Sequence, residues 1–148
     1  MKFLVGLLIF VFGVVFITLI NGNLEIHSIA AFLDGPTIIT FGFTLFAVTV
    51  ITGNVNLFFS GIFAIFNKDK AFLTQNREKL IVLFELLRKT TIYTGVLVFT
   101  IGFVLMLGNL QDIERFAMNT ALCALAFFWA MVINIIIFNP IIAILRKQ

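Results

Sequence analysis

The stretch Asn67–Lys89 reads NKDKAFLTQNREKLIVLFELLRK and carries Lys68, Lys70, Arg77, Lys79, Arg88 and Lys89, six of the chain's ten basic residues. Lys2 stands near one end, Arg146 and Lys147 near the other, and only Arg115 lies elsewhere. Between these cationic points run the apolar segments Phe3–Leu24, Pro36–Phe66, Thr91–Leu110 and Phe116–Leu145. A helix needs about 20 mostly apolar residues to cross the hydrocarbon core of a bilayer. Each segment supplies that length with no Asp, Glu, Lys or Arg near its centre. With 61% hydrophobic and 11% charged residues in 148, a water-soluble fold of this size has too little interior to hide so much oil. The predicted class is an all-α membrane protein, a single domain over residues 1–148 with four transmembrane helices at about 3–24, 36–66, 90–110 and 116–145.

Lys and Arg in short loops mark the inner side of a membrane. The other two loops, Asn21–Gly35 and Gln111–Arg115, hold Glu25, Asp34, Asp112 and Glu114 against Arg115 alone. Both termini and the link 67–89 are therefore expected in the cytoplasm, in a multi-pass membrane protein. Met1-Lys2 and the apolar run after it imitate a secretory leader. The run ends in Ile20-Asn21-Gly22-Asn23 without a small-x-small cleavage pattern, so it reads as a retained first span.

The net charge of +3 does not indicate nucleic acid, because the basic residues lie at span ends with no interleaved exposed aromatics. Cys123 is the single cysteine, which excludes an intrachain disulfide and a cysteine-cluster metal site. His27 has no convergent partners in the sequence and reads as a surface residue; a ligand set needs several. No nucleotide loop, catalytic triad or carboxylate pair is found. Neither an enzyme nor a metal or other cofactor is expected.

The second apolar run is too long for one upright span. Gly53, Asn54 and Asn56 interrupt it, and Val55–Phe66 is either the rest of a tilted helix or a separate segment in the interface. Thr74 and Asn76 are candidate helix N-caps. From Arg77 to Lys89 the pattern is amphipathic, with Leu80, Leu83, Phe84 and Leu87 on one stripe. Nothing breaks the helix before Gly95, so the third span is expected to start in the cytoplasm and enter the membrane without a joint. The apolar stripe outside the bilayer then needs a partner. Pro36 suits the first turn of the second span, where its missing N–H costs nothing.

Three stretches, in order, resemble the MotA/TolQ/ExbB family of proton-channel subunits, its MotA branch most closely. The first is Phe32-Leu33-Asp34-Gly35-Pro36-Thr37-Ile38-Ile39-Thr40-Phe41-Gly42-Phe43-Thr44-Leu45. The second is Gly95–Gly102 with Leu105-Met106-Leu107-Gly108-Asn109-Leu110-Gln111-Asp112. The third runs from Ala121-Leu122 through Asn134 to Phe138-Asn139-Pro140-Ile141 and Leu145. By this resemblance Asp34, Pro36 and Pro140 are motif residues with structural roles. The chain would form a collar of identical copies, a pentamer, around a MotB-like single-span partner whose membrane Asp carries the proton or sodium ion. The chain also departs from the pattern. The cytoplasmic link is much shorter than the family's domain, and Ile92, Val98 and Phe99 stand where the family has a Pro and a Gly-Thr pair. Cys123–Phe127 lacks a Thr-Thr pair, and the Asn134–Pro140 interval is one residue longer.

Within the spans only Cys123 and Tyr93 can ionise. Intramembrane Asp, Glu or His is the usual mark of a proton relay, so the chain alone is not expected to pump or transport. On span four Asn119, Cys123, Ala126, Ala130 and Asn134 fall in a narrow arc with Thr120 beside it, opposite Leu125, Phe128, Val132 and Ile136. The plain reading is helix packing through small and amide residues; the sharper one is a face turned to a central axis or pore. Trp129, deep in this span, is assigned to packing. Gly95 and Gly102 on span three read as close-packing glycines. Thr100 either replaces a missing pore hydroxyl or bonds to its own helix; Thr40 and Thr44 on span two have the same local explanation.

Three functions fit these residues. One is a stator-type subunit coupling ion flow to torque or force. Another is a non-conducting membrane scaffold of the same architecture, which the absent threonines and short link favour. The third is an unrelated four-span packing protein.

Overall fold

A computed structural model describes residues 35–67, 70–108 and 110–147. The expected first span, the outer loop with Glu25, His27 and Asp34, and Lys68 and Asp69 of the link lie outside these residues. The chain divides into two units, Met1–Gly35 and Pro36–Gln148, and apart from the leading Gly35 every described element belongs to the second.

Among the described residues every regular element is a helix. In chain order they are α1 (Gly35–Ile51), α2 (Val55–Asn67), α3 (Lys70–Gln75), α4 (Arg77–Gly108), α5 (Ile113–Ile133), a π turn (Asn134–Phe138) and α6 (Asn139–Arg146). The two helical stretches Arg77–Gly108 and Ile113–Arg146 are long and apolar enough to cross a membrane, and α1 with α2 would make a third span if that bent pair is counted as one.

Pro36 occupies the first turn of α1, where the lack of an N–H breaks no helical bond. At the far end Asn54 N–H donates to Thr49 O (3.1 Å) and Gly53 N–H to Val50 O (2.9 Å). Gly53 has φ 67°. This paired closure with a left-handed residue stops a helix and satisfies its last carbonyls. A side chain at 53 would strain the backbone, so the glycine is what permits the reversal. Asn54 O then accepts Phe58 N–H (2.8 Å) and opens α2. The second apolar run is thus two helices, bent by 117° across the break.

α4 is unbroken for 32 residues, about 48 Å at 1.5 Å per residue. That exceeds the ~30 Å hydrocarbon thickness by about twelve residues. The helix starts just past Asn76, whose carbonyl accepts Leu80 N–H. The Asn76 side chain turns back and donates to Phe72 O at 3.2 Å instead of capping α4. Thr74, the other candidate cap, lies inside α3. α5 is capped by Asp112, which accepts Arg115 N–H (3.1 Å) and faces the Arg115 guanidinium at 3.1 Å. α4 and α5 run antiparallel, Gly95 meeting Ala130 and Gly102 meeting Cys123.

Packing changes character along α4. At its Arg77 end, Leu80, Leu83, Phe84 and Leu87 are buried against Phe138, Ile141, Ile142 and Leu145, with Ala64 and Leu73 completing the cluster. The amphipathic stripe read from the sequence therefore finds its partner in α6, α2 and α3. The cluster is built of large aliphatic and aromatic groups, as in a water-soluble core. Further along, the inward residues are Thr91, Thr94, Gly95, Val98 and Gly102, while Ile92, Tyr93, Leu97, Ile101 and Val104 lie outside. An interior of small residues inside an oily exterior is the arrangement of helices packed in lipid, where burying oil offers no drive and close backbone approach does.

Candidate functional site

Among the described residues, candidate residues from two helices meet at the α4–α5 seam. A Cβ built on Gly95 would stand 2.7 Å from Ala130 Cβ and 3.4 Å from Ala126 O; one on Gly102 would stand 2.8 Å from Cys123 Sγ and 3.6 Å from Asn119 O. The two contacts are seven residues apart on each helix, so the register is constant and the same face of each helix is used throughout. α1 joins at this level: the Phe41 ring, 1% exposed, reaches within 3.8 Å of the Gly95 position.

The polar stripe of the fourth apolar run therefore faces the chain's own third. Cys123, Ala126, Ala130 and Asn134 are buried there and Asn119 is half-buried. The Cys123 thiol donates to Phe99 O at 3.5 Å, a bond between the helices. Thr120 is exposed beside the stripe, and its hydroxyl lies 2.8 Å from Phe116 O and 3.2 Å from Met106 Sδ. Thr100 is on the outer side of α4, its hydroxyl donating to Val96 O at 2.7 Å. Thr40 is exposed and Thr44 half-buried on α1, and they bond back to Pro36 O and Thr40 O. Thr91 and Thr94 do the same on α4, inside the seam. A threonine can always satisfy its hydroxyl this way within a helix. Pro140 sits in the first turn of α6, and Asp34 lies outside the described residues.

Asn134 is the least satisfied polar residue of the seam. Its Nδ2 donates to Ala130 O at 2.8 Å, while among the described residues its buried Oδ1 has no hydrogen-bond partner. A buried acceptor without a donor costs ~1–3 kcal/mol. It opens the π turn, in which Asn139 N–H bonds to Asn134 O five residues back. A π turn is one extra residue accommodated inside an α-helix, so the helix on either side of it can keep its own packing face.

At the opposite end of the core the charged groups form a clasp. Arg77 Nε donates to Leu145 O (2.9 Å) and its Nη2 to Arg146 O (2.8 Å), covering the terminal carbonyls of α6. Arg146 Nη2 in turn meets Glu85 Oε1 at 2.6 Å. Among the described residues a shallow groove near this end is lined by Thr74, Gln75, Arg77, Glu78, Lys79 and Ile81. Among the described residues no three His, Cys, Asp or Glu side chains converge.

Sequence reasoning found the glycines and the α5 stripe but missed Phe41, Thr94 and the Arg77 clasp. Thr94 was findable, three residues past Thr91 on the same face. Phe41 and Arg77 had no signal, since one is a phenylalanine among many and the other reads as an ordinary flanking cation. No protein-family model, curated protein or solved structure matches the chain.

Proposed function

We propose that this chain is a membrane subunit of the MotA/TolQ/ExbB type, forming a homo-oligomeric collar, a pentamer, around single-span partner helices and coupling proton or sodium flow to motor torque or force. The carrying observation is the sealed α4–α5 seam. With no room for a methyl group at Gly95 or Gly102, the two helices are closed against each other at both levels. No Asp, Glu, Lys, Arg or His lies between Lys89 and Asp112, or between Arg115 and Arg146. A path would therefore run between chains, on a carboxylate that a partner brings. The resemblance of three ordered stretches supports the same reading. The longer Asn134–Pro140 interval is compatible with it too, because the π turn takes up one residue. In this reading the protein sits in the bacterial inner membrane with both termini and the link in the cytoplasm.

A second reading, the non-conducting scaffold of the same architecture, is favoured by the threonines. Thr100 and Thr120 direct their hydroxyl protons to carbonyls of their own helices and offer no continuous donor chain. Reconstitution with a candidate single-span partner separates the two. The motor reading requires a proton or sodium flux that a partner Asp→Asn change abolishes. Flux equal to that of empty liposomes, from a complex shown to be assembled, leaves the scaffold. A stable monomer in a detergent mass measurement refutes both.

A further inference from the structure

We propose that α2 lies in the plane of the inner membrane surface, with Phe59 and Phe63 set among lipid tails and anionic phospholipid headgroups drawn to the cationic link beside it. This placement rests on the inner-side position of the link in the proposed topology and is independent of whether the chain forms a collar.

α2 makes 117° with α1, which is 27° past a right angle. If α1 follows the membrane normal, α2 runs much nearer the membrane plane than the normal. Its 13 residues extend about 20 Å, too short to cross. Among the described residues one side of the helix is held: Gly61 packs directly on the Leu80 side chain of α4, and Ala64 joins the core. On the other side Asn56, Phe59, Ser60, Phe63 and Asn67 recur at helical spacing and are all exposed. Phe59 is 57% and Phe63 69% exposed. An apolar groove of about 620 Å³ beside them is lined by Phe59, Ile62, Phe63 and Phe72 together with Ser60 and Asn67.

Charge selects the occupant. α2 itself carries no charge, but Asn67–Lys89 holds six Lys and Arg against Asp69, Glu78 and Glu85. Arg77 is committed to α6 carbonyls, whereas Lys79 lines a groove with Glu78, Asn54 and Val82 at the start of α2. A second copy seated on this face would bring a second positive link against the first. An anionic lipid surface meets the same cations with attraction, and two exposed phenylalanines on a helix joined to a basic segment supply the paired signals that stable surface anchoring needs.

The test uses the full chain in nanodiscs, with Cys123→Ala removing the native thiol and a fluorophore attached through Phe63→Cys or, separately, Phe59→Cys. Both positions are exposed, so either label leaves the core untouched. Brominated phosphatidylglycerol is expected to quench both labels, and more strongly than brominated phosphatidylcholine at equal content. Lys79→Gln should cut that preference by up to about five-fold, the effect of one cation near an anionic surface. Quenching by aqueous iodide alone would overturn the proposal, as would protection from iodide and bromolipid together, the signature of a second protein copy. Equal quenching by the two lipids would overturn the anionic assignment.

Discussion

Gly95 faces Ala130 so closely that a methyl group added at 95 would stand 2.7 Å from the Ala130 Cβ, well inside the 3.5–4.0 Å at which carbon atoms rest against one another. Neither partner is a flexible side-chain end, so the helices themselves must part. Gly95→Ala is expected to cost ~1–3 kcal/mol, read as a lower unfolding midpoint in detergent. Adding Ala130→Gly should recover much of it, because the next neighbour, Ala126 O, is at a tolerable 3.4 Å. Gly42→Ala, with nothing within 4 Å, should be neutral or slightly stabilising. Equal losses at 95 and 42 would refute the close seam.

Two phenylalanines calibrate the core at the Arg77 end. Phe84 is fully buried and Phe43 is 72% exposed. Phe84→Ala should cost ~3–5 kcal/mol, and Phe43→Ala no more than about 0.5 kcal/mol. Denaturant titration of both variants in one detergent checks the difference.

The Arg77 clasp predicts a local effect. A guanidinium spans two carbonyls that an ammonium cannot cover with the same fixed fork. Arg77→Lys and Arg77→Gln should both speed amide exchange at the end of α6 by about five-fold, equivalent to one hydrogen bond of ~1 kcal/mol, while exchange in the α4–α5 seam stays unchanged. The Arg146–Glu85 pair, 62% and 32% exposed, should add at most ~1 kcal/mol. Arg146→Gln should therefore be the milder change.

The π turn makes a prediction about length. Deleting one residue from a helix turns everything beyond it by about 100°. Deleting Ile136 should instead let the turn close into ordinary α-helix and leave the α6 contacts of Ile141 and Leu145 in place. Deletion of Leu125, inside regular α5, should abolish folding. Circular dichroism and size-exclusion profiles of the two deletions decide the matter.

The parts of this structure that announce themselves in sequence are those set by periodicity. Leu80, Leu83, Phe84 and Leu87 define a stripe because 3.6 residues make a turn, and an uninterrupted path from Arg77 to Gly95 implies one rod. Gly53 with Asn54 marks a break for the chemical reason that glycine takes positive φ. Periodicity carries no angle, however, so the sharp turn between α1 and α2 was legible only as an interruption. Asn134–Phe138 has the same composition whether its bonds reach back four residues or five, which hides the π turn. The stripe of Asn119, Cys123, Ala126, Ala130 and Asn134 was visible as a stripe. Its neighbour was not, because small residues suit close approach by any helix, in the same chain or another.

α4 is one rod gripped by two forces that answer differently to temperature. Where Leu80 and Phe84 stand outside the bilayer, as the proposed topology has it, the grip is expulsion of oil from water, which weakens on cooling. Around Gly95 and Gly102 it is contact between closely fitted backbones, which owes little to water. Chilling should therefore loosen the Arg77 end while the glycine end holds, giving the molecule a cold-sensitive foot on a cold-indifferent stem.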